Sequence, residues 1–188
     1  MFGTPRVLID ADYWRIGAHL ISPFDSKQVQ PASYDVTLGR RLLFPKYNPY
    51  PSTRPRIDLR ITKPADLMVA EDMLDSGMIL QPRECVLGAT AEKVTCPADM
   101  ICSVDGKSTL GRCWIAIHAT AGFIDPGFHG VVTLEITNHG PWSFVVYPGM
   151  RIGQLRFHWL GQSVVRPYGS PGLGSHYQDS ESVKAAEP

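Results

Sequence analysis

The sequence has no surplus of charge of either sign: eighteen lysines and arginines stand against eighteen aspartates and glutamates in 188 residues. With no net field, long-range electrostatics recruit neither nucleic acid nor a membrane surface. An anionic small ligand would have to be held by local groups. Cysteine is scarce, and Cys85, Cys96, Cys102 and Cys113 include no C-x-x-C pair. That spacing excludes a thiolate metal framework and is thin for a disulfide scaffold. Long apolar runs are missing too. No stretch approaches the roughly 18 residues of a membrane span, and Met1 to Tyr13 carries Arg6, Asp10 and Asp12 where a signal peptide would be apolar. A reducing, cytoplasmic setting with no nucleic acid and no membrane as partner is the expectation.

Several catalytic signatures are also absent. Gly106-Lys107-Ser108 ends like a P-loop, but Ile101 stands where its first glycine belongs. No histidine opens the H-x-E of a zinc deaminase, and Cys96 precedes its proline rather than following it. There is no H-x-H, and no G-x-S-x-G nucleophile elbow.

What is present is punctuation. Sixteen prolines and seventeen glycines predict many strands and turns. Ile9, Tyr13, Ile16 and Leu20 fall at helical spacing, which predicts one short N-terminal helix with Asp10 at its cap. From Ser33, the residues Tyr34, Val36 and Leu38 alternate as in a half-buried strand. Residues 45–64 hold five prolines and predict an irregular excursion. Strands are expected over Met78 to Leu80, Cys85 to Lys93, Ile101 to Val104, the apolar run Cys113 to Ile117, Val131 to Thr137, Phe144 to Tyr147 and Ile152 to Trp159. No helices separate them, so the class is all-β, a distorted barrel or jelly roll in a single domain over residues 1–178. Residues 179–188 are polar and read as a flexible tail. Trp14, Trp142 and Trp159 read as core or interface packing, and His118 as a hydrogen-bonded structural residue.

Three segments could carry chemistry. Asp105 to Arg112 sets Lys107 and Arg112 among glycines and the hydroxyls of Ser108 and Thr109, a pattern suited to phosphate oxygens. By itself it is as readily a basic surface turn. Ala121 to Gly130 holds an Asp-Pro-Gly turn that presents Asp125 between Phe123, Ile124 and Phe128. Glu135 then interrupts an apolar strand, where a carboxylate is exposed, paired or functional.

Taken together, and in order, these segments resemble the dCTP deaminase family of the dUTPase superfamily, in its branch that forms dUMP. Gln30 to Val36 is similar to the first superfamily motif, Gly106 to Arg112 to the second, Gly122 to Gly130 to the third, and Pro148 to Leu155 to the fourth. Gly172 to Ser175 followed by Tyr177-Gln178 is similar to the C-terminal motif that closes over the nucleotide.

The resemblance implies a dUTPase-like fold and a homotrimer with active sites between subunits. It implies hydrolytic deamination of dCTP without zinc, coupled to triphosphate cleavage, giving dUMP, ammonia and pyrophosphate. In that scheme Glu135 is the general acid and base, and Ser108, Arg112 and the carbonyl of Ala121 position the water and stabilise charge. Asp125 holds the 3′-hydroxyl, and Thr133, Leu134 and Glu135 read the pyrimidine edge. Lys107, Ser108, Thr109, Leu110, Gly111, Arg112, Gln154, Tyr168, His176 and Gln178 surround the phosphates, and Tyr177 could stack on the base. Mg²⁺ is the implied cofactor, bound through the phosphates rather than by protein side chains. Asp35 is expected to be structural. Gly122-Phe123 matches relatives that also cleave the triphosphate, where deaminase-only relatives carry His-Arg.

The chain departs from the pattern at three places. Cys113-Trp114 replaces Leu-Gly, His176 replaces a phosphate-contacting lysine, and Ser180 replaces a glutamine. Other readings are a deaminase that stops at dUTP or acts on dCMP or a modified deoxycytidine nucleotide, a dUTPase alone, and a non-catalytic trimeric nucleotide-binding regulator.

Overall fold

The computed structural model describes residues 4–46 and 57–187. Its elements in chain order are β1 (Arg6–Val7), α1 (Asp10–Leu20), β2 (Ile21–Ser22), β3 (Val29–Gln30), β4 (Ser33–Thr37), β5 (Arg41–Pro45), β6 (Met68–Asp72) and β7 (Met78–Leu80). There follow β8 (Cys85–Thr95), β9 (Met100–Gly106), α2 (Ser108–Gly111), β10 (Ile115–Ala116), β11 (Phe123–Ile124), β12 (His129–Asn138), β13 (Phe144–Val146) and β14 (Arg151–Trp159). Half of the expected excursion over 45–64, residues 47–56, lies outside the described ones.

One sheet has the order β11-β9-β14-β4-β3, with β1 added to β14. A second has the order β10-β12-β8-β5-β6, with β2 on β8, and β7 and β13 form a separate ribbon. One apolar cluster takes Val36, Val104 and Phe157 from the first sheet and Val86, Leu134 and Ile136 from the second. The sheets therefore face each other across a common core without closing into a continuous barrel. The all-β class expected from the turn spacing holds. Among the described residues no helix is long and apolar enough to cross a membrane.

β4 is buried on both faces rather than half-buried. The reason is Asp35, fully buried on the face expected to be open. Lys107 Nζ lies 2.5 Å from its Oδ1, and Arg151 lies 3.4 Å from its Oδ2. Beside it the buried Glu92 accepts from the Thr37 amide at 2.9 Å and from Gln28 Nε2 at 3.1 Å. These carboxylates are tolerable because every one is paired or hydrogen-bonded.

The helix forms where predicted, but its cap differs. Ile9 is the N-cap and is half exposed, while Asp10 accepts only from the neighbouring Ala11 amide. Asp12 closes the end instead, accepting from the Ile9 amide at 3.1 Å and from both Arg6 guanidinium nitrogens. Tyr13 is buried, accepting from the Phe157 amide at 3.3 Å and donating to the Leu155 carbonyl at 3.2 Å, which pins α1 to β14. Trp14 and Trp142, expected as packing residues, are 63% and 64% exposed, whereas Trp159 packs against the core.

The segment read as a flexible tail lies against the body. Ser180 bridges Gly130 in parallel, and the Val131 amide donates to the Ser180 carbonyl at 2.9 Å. Gly130 has φ +142°, and a Cβ there would sit 2.7 Å from the Ser180 nitrogen, so glycine admits this close approach. Val183 and Ala185 are buried, Val183 with Ala89 and Val131, which is apolar burial that the polar composition concealed.

Hydrogen bonding to Arg6 holds the Asp12 carboxyl at about 2, below its ordinary value of 3.8. A lowered folded value gives stability that is present above pH 4 and lost as pH falls through about 2. Asp12→Asn should therefore destabilise the protein at pH 7 by roughly 1–2 kcal/mol, after allowing for solvent screening at the part-exposed Arg6. Thermal unfolding across pH checks this, with the wild-type advantage shrinking below about pH 4 and vanishing near pH 2.

Candidate active site

β9 ends at Gly106, and the chain turns through Lys107 into α2. Leu110 is buried and anchors the turn, leaving Ser108, Thr109, Gly111 and Arg112 exposed. Arg112 makes no ion pair among the described residues, so its guanidinium is open to an anion. Lys107 is already committed to Asp35, which fixes its ammonium beside the turn.

Gly106, Lys107, Ser108 and Gly111 form one side of a cavity of about 560 Å³, a size typical of small-molecule sites. Trp114, Ile115 to His118 and His139 complete its lining. The predicted strand over Cys113 to Ile117 shrinks to β10 because Trp114 adopts φ +58°. That left-handed conformation suits glycine and costs other residues about 1–2 kcal/mol. His118 departs from its expected role. Its Nδ1 is buried without a hydrogen-bond partner among the described residues, and its ring lies near Gly122.

Glu135 sits on β12, with Thr133 and Thr137 on the same part-exposed face. Ala116 is directly across from Thr137, so this face adjoins the cavity. The Ala119 amide donates to Glu135 Oε2 at 2.6 Å. That anchor was not legible in the sequence, since nothing in an alanine marks its amide as a donor. Leu134 faces the core and is fully buried, so it could meet a ligand only through its backbone.

The Asp-Pro-Gly turn is also as the sequence suggested. Asp125 is exposed at its start, and Gly127 takes φ +95° against Tyr168. Beneath it burial, followed by the nearby Asp125 and Asp99 charges, pushes the Cys96 thiol up to about 12. A neutral, buried thiol there is no nucleophile. Gly122 lies flat on β9: a Cβ would stand 3.0 Å from the Val104 carbonyl and 3.4 Å from the His118 ring. Phe123 projects into solvent, and Ala121 is exposed in the loop before it.

The C-terminal residues gather around this turn. Gln178 donates to the Gly127 carbonyl at 3.1 Å and accepts from the His129 amide at 3.3 Å. Tyr168 packs on Phe128, and its hydroxyl accepts from the Tyr177 amide at 3.0 Å. His176 packs edgewise on Tyr177. Gln154, on the central strand, accepts from Ser33 Oγ at 3.2 Å.

The chain therefore holds two groups. Lys107, Ser108 and Gly111 line the cavity beside the Glu135 face, whereas Asp125, Tyr168 and Gln178 cluster elsewhere. Ile124 is opposite Cys102, so the Asp125 turn lies toward the Met100 end of β9, whereas Ser108 follows its Gly106 end.

Comparison with known proteins gives the same assignment. A family model described as dCTP deaminase-like matches residues 10–160. A dUMP-forming dCTP deaminase of Halobacterium salinarum is 46% identical over 162 residues, 85% of this chain and 80% of that protein. Another, of a Nocardioides species, is 42% identical over 173 residues, 92% of this chain and 86% of that protein. The solved 2′-deoxycytidine 5′-triphosphate deaminase from Agrobacterium tumefaciens superposes with a TM-score of 0.65 at 28% identity, covering 83% of this chain and 47% of that one. The open arginine at the turn, the anchored carboxylate on β12 and these matches along most of the sequence lead to one conclusion: the chain belongs to the dCTP deaminase-like family.

Proposed function

We propose that this protein deaminates dCTP hydrolytically and then cleaves the triphosphate, so that dCTP and two waters give dUMP, ammonia and pyrophosphate. The observation that carries the reading is the Glu135 carboxylate, held by the Ala119 amide on an open strand face next to a cavity bounded by Lys107 and Ser108. With one oxygen fixed by that amide, the carboxylate can take a proton from a water that adds to C4. It passes that proton to the amino group, which leaves as ammonia, and carries the remaining hydroxyl proton to N3, so that the C4 carbonyl forms. Ser108, Arg112 and the Ala121 carbonyl orient that water and offset the developing charge.

The second step is a water attacking the α-phosphate, with Asp125 aligning it against the 3′-hydroxyl. The placement of Asp125 and Ser108 toward opposite ends of β9 supports completing each site from two copies of the chain, as a homotrimer would. Among the described residues no three His, Cys, Asp or Glu side chains converge as a metal cage. The donor set fits Mg²⁺ carried by the triphosphate oxygens, where it would neutralise phosphate charge. All four cysteines are free thiols, in keeping with a reducing cytoplasm.

Purified protein incubated with dCTP and Mg²⁺ should release dUMP, ammonia and pyrophosphate in equal amounts; dUTP accumulating without pyrophosphate would reject the coupled reaction. Glu135→Gln should lower the deamination rate by about 10²–10⁴-fold while the protein still binds nucleotide. Gly122→His would press a side chain onto the Val104 carbonyl and the His118 ring. Chromatographic product analysis of that variant should show the dUMP to dUTP ratio falling.

A further inference from the structure

We propose that Trp114 is a stacking wall of the nucleotide cavity that takes the flat face of the pyrimidine ring, while the Gly106 to Gly111 turn takes the phosphates. The inference rests on the deaminase reading and names a specificity determinant of that same site.

Three observations meet at this residue. The backbone is left-handed, at φ +58°, a conformation that a large side chain occupies only where its surroundings impose it. It is tied on both sides: the Trp114 amide donates to the Gly111 carbonyl at 3.0 Å, and the His139 amide donates to the Trp114 carbonyl at 2.9 Å.

The side chain is also not drawn into the core. Trp114 is 54% exposed, although an indole has much to gain from burial. Its neighbour Trp142 meets it at 5.8 Å between centroids and 47° between planes. That tilted contact braces the ring without covering it face to face. Trp142 is held in turn by the Asn138 side chain, which donates to its carbonyl at 2.7 Å. The brace is built from a buried amide, not from a loose surface loop.

The third observation is position. The indole shares its cavity with Lys107 and Ser108, so one space offers a cation, hydroxyl and amide donors, and an aromatic plane. A nucleotide uses all three: its anionic oxygens meet the cation and the donors of the turn, and its base offers a π-face to the indole. Stacking on an aromatic side chain is open to any base, because every base has such a face. Here Thr133 and Glu135 remain to read the ring's edge.

Two variants and two probes test this. Trp114→Gly suits the left-handed backbone and should fold, which circular dichroism and sedimentation would check. Its KM for dCTP should rise roughly tenfold more than kcat falls, and Trp114→Phe should restore most of the loss. In a Glu135→Gln background, where substrate is not consumed, dCTP should quench indole emission and inorganic tripolyphosphate should not. The quench should disappear on adding Trp114→Phe. A KM for Trp114→Gly within about twofold of wild type, or a quench that survives Trp114→Phe, would overturn the proposal. If wild-type protein turns over no cytosine nucleotide but dCTP still quenches Trp114, the wall stands and the deaminase reading fails. No turnover and no quench would remove both.

Discussion

The Asp35 carboxylate, buried between two strands, is the constraint around which the rest is arranged. A charge with no access to water is stable only when opposite charge is brought to it, and here Lys107 and Arg151 supply that. Lys107 begins the exposed turn that bounds the cavity, and Arg151 begins β14. A single buried group therefore locks the mouth of the site to the central strand. Gln28 reinforces it by bonding the Asp35 carbonyl and the Glu92 side chain together, which couples the first sheet to β8 of the second.

On this frame each chemical group is placed by a different local device. Glu135 is presented by strand alternation, with Leu134 and Ile136 sinking into the core on the opposite face. Asp125 is presented by a proline and glycine turn that also receives the returning C-terminal segment. Gly122 packs closely on β9 and the His118 ring, so that a Cβ there would stand 3.0 Å from the Val104 carbonyl. Trp114 occupies a backbone conformation that its own chemistry disfavours. Strand geometry sets the rigid members, and turn geometry sets the exposed ones.

Much of this was legible in the order of residues. The long strands β8, β9, β12 and β14 show the period-two pattern, so their existence and approximate limits followed from it. The two-residue strands β1, β2 and β3 carry no periodicity and could not be read. The apolar run Cys113 to Ile117 misled because a run of that kind says nothing about φ, and the left-handed Trp114 cuts it short. Asp10 looked like a helix cap by residue type. Asp12 took the role because only it could also reach Arg6.

The sequence alone determined the β-rich class, the identity of the acid and base candidates, and the order of the motifs, because these depend on residue type and on spacing along the chain. Tertiary structure decided which of those groups meet. It buried Asp35 and spent Lys107 on it, gave Glu135 an amide from Ala119, and drew the polar tail onto Gly130 and Val131. It also set Asp125 and Ser108 toward opposite ends of β9. The physical reason is that pairing, burial and backbone handedness depend on distances between residues remote in sequence, and no local pattern encodes those distances.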